Sequence, residues 1–154
     1  MAPPVAVRNL PSVTLLSAEL MSLNRKRSYS SVWVEASCVF EWVLDGAFLL
    51  QRTTVDYQPA PDSHSLISAN PDGGGFTQHY FDSRGVVRVY RMTLRDGVWQ
   101  LVRDRPDFTP LAFHQRYTGR FGDDGRTIDG RWEASEDDGA TWETDFELTF
   151  RKVS

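Results

Sequence analysis

Residues 112–151 alternate apolar and polar side chains with a period of two, a pattern that a strand buries on one face and a helix cannot. In 141–151, Trp142, Thr144, Phe146, Leu148 and Phe150 share one face, and Glu143, Asp145, Glu147, Thr149 and Arg151 share the other. In 127–134, Ile128, Gly130, Trp132 and Ala134 oppose Thr127, Asp129, Arg131 and Glu133. In 112–121, Phe113, Gln115, Tyr117, Gly119 and Phe121 oppose Ala112, His114, Arg116, Thr118 and Arg120. One wet face per strand means antiparallel strands around a shared core.

Upstream the writing is similar. Aromatic and β-branched runs are broken by "DG" (45–46), "PAPDS" (59–63), "NPDGGG" (70–75), "DSRG" (82–85), "DG" (96–97), "DRPDFTP" (104–110), "GDDG" (122–125) and "EDDG" (136–139). A turn signal every roughly 8 to 15 residues marks an up-and-down sheet. No run between them carries a helical period, which disfavours parallel βαβ units. About nine strands result, enough for the sheet to curl and close and so remove its edges. The expected fold is all-β: an antiparallel up-and-down β-barrel of about 8–10 strands over residues 31–154. Residues 1–30 are expected to be a tail. Pro3, Pro4 and Pro11 keep its start extended, and Ser12 is placed to cap a short helix through Leu15, Leu16, Ala18, Leu20 and Leu23.

Charge narrows the partners. The formal net charge is −4, with 17 Lys and Arg against 21 Asp and Glu. A phosphate-binding protein needs a basic stripe, so no nucleic acid is expected. The basic residues Arg8, Arg25, Lys26 and Arg27 cluster in the head, where the only acid before Glu35 is Glu19. No run approaches the ~18 apolar residues of a membrane span. The stretch "SVTLLSAELMSL" is too short for one and lacks the cleavage site of a signal peptide. Cys38 is the single cysteine, so no internal disulfide and no thiolate zinc cage can form, and a reducing, cytoplasmic setting is the expectation.

The acid-rich stretch "SEDDGATW" matches the pattern Ser-x-Asp-x-Gly-x-Thr-Trp through Ser135, Asp137, Gly139, Thr141 and Trp142. It resembles the Asp-box of sialidases and other β-proteins. That resemblance implies a hairpin whose Asp and Ser side chains accept turn amides, with glycine at a positive φ and the tryptophan tucked beneath. A single copy excludes a propeller. As an EF-hand loop with Gly139 sixth, the stretch would begin at Ala134 and end at Asp145, which lacks the first ligand and shortens the last. No metal is expected there.

A wider resemblance runs from Phe40 to Val153. It is carried by "FEWVLDGAFLLQR" (40–52), "QHYFDSRGVVRVYRM" (78–92), "DGVWQLVRD" (96–104) and "RYTGRFGDDGRTIDGRWEASEDDGATWETDFELTFRKV" (116–153). In order and content these pieces resemble a group of small, mostly uncharacterised bacterial proteins with a lipocalin-like (calycin) barrel. The resemblance implies that fold and lends no reaction. Calycin barrels usually open on a Gly-x-Trp strand that closes the floor. Here "SSVWVEA" has Trp33 without that glycine, so either Trp33 does the job from an altered lead or the barrel is partly open.

A barrel of about 8–10 strands has an interior that side chains fill or that holds one small ligand. Polar residues on apolar faces are therefore the candidates. Arg88 shares a face with Val86, Tyr90, Met92 and Leu94. Gln78 lies with Phe76 and Tyr80, Gln115 lies between Phe113 and Tyr117, and Gln51 lies between Leu49 and Thr53. With those faces inward, Arg88, Tyr90, Gln78, Gln115 and Tyr117 would grip the carboxylate or carbonyl of an apolar or amphipathic ligand, since the planar guanidinium bonds such groups in pairs. The competing arrangement puts Val87 and Val89 inside and Arg88 in an outer salt bridge.

Two other function classes stay open. One is a cofactor-independent enzyme using an interior acid (Glu41, Asp56 or Asp129) with a histidine. The other is a solid barrel whose outer face binds a second subunit, a homodimer included. The resemblance to this barrel type, one relative of which binds haem through a histidine, makes His64, His79 and His114 candidates for haem ligation, yet His79 and His114 alternate away from the aromatic face and His64 sits at a loop edge. Cys38 in "EASCVFEW" reads as a small apolar strand residue. The pairs Asp123/Asp124 and Asp137/Asp138 lie in turns, no Ser elbow occurs, and the glycines 73–75 precede no helix. No catalytic residue and no cofactor is expected.

Overall fold

The computed structural model describes residues 16–22, 32–58 and 60–152, with side chains from residue 34 onward. They form ten strands: β1 (Leu16–Ser22), β2 (Val32–Val43), β3 (Phe48–Val55), β4 (Ser63–Ala69), β5 (Phe76–Asp82), β6 (Val87–Arg95), β7 (Val98–Arg103), β8 (His114–Phe121), β9 (Thr127–Ser135) and β10 (Glu143–Lys152). The strands β2 to β10 make a curled meander in which each pairs antiparallel with its neighbours in the chain. The first strand pairs with both β2 and β10 and closes the barrel. Among the described residues no helix is long and apolar enough to cross a membrane.

Register puts inward residues opposite inward residues. Cys38 faces Thr53, Leu49 faces Ile67, Gln78 faces Tyr90, Tyr117 faces Trp132 and Leu148 faces Gly130. A slip of one residue would turn each of these sets to solvent, so burial holds the pairing in place. One end of the barrel is filled. Phe40 meets Trp99 edge-on at 6.2 Å, and Trp42, Leu94 and Phe121 pack on a core that includes Leu49 and Ile128. The β6–β7 turn at this end is Asp96-Gly97 with φ of 51° and 72°, the mirror-image turn that matches strand twist.

Two glycines make room for the centre of the core. Tyr117 is 1% exposed, and its ring lies across Gly119 and Gly130 on paired strands. A β-carbon on Gly119 would meet the ring carbons at 2.9 Å, and one on Gly130 would meet them at 2.6 Å. The ring cannot retreat, because Trp99 sits 5.0 Å and Trp132 5.3 Å away, centroid to centroid. Gly130→Ala should therefore cost about 1–3 kcal/mol of stability by overpacking. Chemical unfolding checks this, and an unchanged midpoint would mean that the ring has room to move.

Three expectations change. The segment read as a capped helix contains strand β1 instead. Its i, i+4 leucines also alternate as Leu16, Ala18 and Leu20. Extended, the segment hydrogen-bonds two strand edges at once, which no helix there would do. The rest of the expected tail lies outside the described residues, as does the side chain of Trp33. Second, the barrel is closed, which removes the partly open alternative. Third, the alternation in β10 is broken by a bulge between Thr144 and Phe146. It reverses the phase, so Trp142 stacks against Arg116 on the outside, 4.2 Å from its guanidinium, and Asp145 turns to the cavity mouth beside Phe146.

Candidate functional site

The other end of the barrel opens into a cavity of about 470 Å³, within the range of small-molecule sites. The five residues read from sequence as an inward set, Arg88, Tyr90, Gln78, Gln115 and Tyr117, all line it. Strand register explains why Arg88 rather than Val87 or Val89 points inside: it pairs with Tyr80, and Tyr90 pairs with Gln78.

The lining is divided by strand. From β3 to β6 come Gln51, Thr53, Ser63, Ser65, Gln78, Tyr80, Arg88 and Tyr90, with Val55 the one aliphatic residue. From β7, β9, β10 and β2 come Trp99, Leu101, Trp132, Phe146, Leu148, Phe150, Val34 and Ala36, with Asp145 at the rim. Gln115 and Tyr117 come from β8, which lies between β7 and β9 and so sets two polar groups into the apolar wall. Arg84, Tyr57, Pro61 and Phe113 border the mouth.

The carbonyl oxygen of Gln115 accepts from Arg88 Nη1 at 2.7 Å and from the Tyr90 hydroxyl at 3.0 Å. This double acceptance orients the Gln115 amide and holds the guanidinium 5.6 Å from the Phe113 ring centroid. None of the ion pairs among the described residues involves Arg88. Its Nε is buried without a hydrogen-bond partner. Buried polar atoms normally find partners, so unmatched ones are informative. The others among the described residues are Gln51 Oε1, Gln78 Oε1, Trp99 Nε1 and Tyr117 Oη, and all five residues line the cavity. Burial pushes the Tyr117 and Tyr90 hydroxyls above the usual phenol range, so both stay protonated donors at neutral pH.

The β7–β8 loop that carries Phe113 is held by a buried ion pair. Arg103 and Asp107, with side chains 1% and 5% exposed, meet at 2.7 Å. Arg103 also donates to the Thr109 carbonyl oxygen at 2.7 Å, while Asp107 accepts from the amides of Val89 and Thr109. The Arg103 guanidinium, helped by those two amides, holds the Asp107 carboxyl well below the usual range. Sequence reading missed Arg103, although its period-two spacing from Trp99 and Leu101 was a usable signal. Asp107 had none, because it lies in a loop.

The remaining candidates sit elsewhere. Glu41 pairs with Arg52 on the outer face, Asp56 is exposed, and Asp129 accepts from Thr149 outside, so these acids do not enter the interior. His64 is exposed, His79 lies on the outer side of β5, and His114 Nε2 is 3.8 Å from Asp138. No histidine is among the cavity residues described, and Asp145 is the only carboxylate among them. Cys38 is fully buried, and burial pushes its thiol above the usual value despite hydrogen bonds from Thr53 and Gln51. Among the described residues no group of three metal-ligating side chains gathers.

The acidic stretch 135–142 is a closed turn. Asp137 accepts from the Thr141 hydroxyl at 2.5 Å and the Thr141 amide at 2.8 Å, and these bonds bring its carboxyl down to about 2. Ser135 Oγ accepts from the Gly139 amide at 2.8 Å, and Trp142 Nε1 donates to the Gly139 carbonyl at 3.1 Å. Asp137 is thus occupied within its own turn. Comparison with known proteins finds no family model and no curated protein that matches the chain.

Proposed function

We propose that this barrel is a lipocalin-like binding protein that holds a small, partly apolar organic anion in its interior, with Arg88 as the grip. The supporting observation is the set of buried polar atoms without partners on Arg88, Gln51, Gln78 and Trp99, four residues that line one cavity. Leaving such atoms unmatched costs about 1–3 kcal/mol each, a cost that a ligand with matching groups removes. Gln115 and Tyr90 fix the guanidinium in place before binding, so less side-chain freedom is lost when an acid arrives. The apolar wall supplies area for the rest of the molecule. An enzyme using an interior acid with a histidine lacks its base in this cavity, and a volume of about 470 Å³ does not suit a solid barrel.

Native mass spectrometry of protein purified from its source tests the reading. The expected spectrum shows an added small mass that a denaturing spectrum lacks, and it reports any homodimer at the same time. A bare protein mass that also fails to take up any organic acid offered at millimolar concentration would end the proposal.

A further inference from the structure

The cavity's two walls specify more than an apolar acid. The polar wall carries Gln51 and Gln78, each with one amide atom engaged, on Cys38 Sγ at 3.4 Å and Ser65 Oγ at 3.3 Å, and the other buried and unmatched. Turning either amide over exchanges oxygen for nitrogen and still leaves one polar atom unmatched, because each amide carries both. The facing wall is aromatic. Trp132 lies 5.3 Å from Tyr117 and 6.4 Å from Phe146, and Trp99 lies 5.9 Å from Phe150. A flexible alkyl tail would cover the rings but leave both amides unmatched along its length. A flat molecule with heteroatoms on one edge would match both walls at once.

Resting on the reading of the barrel as a carrier of organic acids, we propose that its ligand class is planar aromatic or heteroaromatic acids. The ring lies against Trp132 and Trp99, the heteroatom edge meets Gln51 and Gln78, and the acid group meets Arg88. The site discriminates against saturated fatty acids of similar size. A site built to hydrogen-bond a group rejects an analogue without it, since its own buried polar atoms are then stranded.

Isothermal titration with 4-hydroxyquinoline-2-carboxylate and with decanoate tests this on the full chain. The expected wild-type result is binding of the quinoline acid at least about tenfold tighter, the worth of one matched buried polar atom. In Gln78→Leu the quinoline acid should weaken about tenfold while decanoate binds equally well or tighter, because a stranded amide has been replaced by an apolar side chain. The wild-type ratio decides alone if that variant does not fold. Decanoate binding as tightly as the quinoline acid, or Gln78→Leu weakening both alike, overturns the inference and leaves the carrier reading standing. Failure of both acids to bind also overturns the inference, and the native spectrum then decides the carrier reading by itself.

Discussion

Asp107→Ala is expected to lower the stability of the barrel by about 3–5 kcal/mol, because it strands a guanidinium that is 1% exposed. Against the ~5–15 kcal/mol that holds a typical domain folded, that loss brings the variant close to unfolding. The Val89 and Thr109 amides lose their acceptor in the same step. Removing both charges, as Arg103→Met with Asp107→Leu, should recover much of the loss, since no buried ion remains. The pH dependence follows from the depressed carboxyl of Asp107. Its folded pKa lies below the unfolded value of about 3.9, so the contribution is whole above that pH and is lost as pH falls toward the folded pKa. The gap between wild type and Asp107→Ala should therefore narrow as urea unfolding is repeated from pH 6 down to pH 3. A gap of under 1 kcal/mol at neutral pH would show that the pair is dispensable.

Arg88→Met carries the largest expected effect on binding. Methionine keeps much of the apolar stem and removes the charge and every donor, so a carboxylate ligand should bind about 10–150-fold more weakly, the loss of a charge-assisted bond worth about 1.5–3 kcal/mol. Stability should hold or rise, because Arg88 Nε is already buried without a partner. The control is the methyl ester of the same acid, whose affinity should barely change between wild type and variant. Equal losses for acid and ester would show that Arg88 shapes the cavity and does not read charge. Phe113 links this result to the first one. The Arg103–Asp107 pair holds the loop that presents its ring to Arg88, so Asp107→Ala should also weaken binding of the acid.

The candidate site was legible because burial and period two are the same constraint. Arg88, Tyr90, Gln78, Gln115 and Tyr117 stood on faces otherwise apolar, and all five line the cavity. Arg103 obeys the same rule, two residues beyond Leu101 and four beyond Trp99, and was not among the residues read from it. Asp107 could not be read, since nothing local in "DRPDFTP" says that its carboxylate turns back to a strand end four residues earlier. The bulge at Asp145 was hidden for a related reason. The run Glu143–Phe150 alternates without a break, and only pairing with β9 shows two residues against one.

The residues from 15 to 23 show the limit most clearly. Their leucine spacing fits a helix turn and a strand equally well, and the choice falls to the two strand edges that need a partner. Sequence alone determined the strand type, the inward faces of β8 and β9, and the turn positions, because those depend on neighbours two residues apart. Which wall each inward face belongs to, which polar atoms stay unmatched, and how far the interior stays hollow depend on strands far apart in the chain meeting around one axis. Only the closed barrel brings them together.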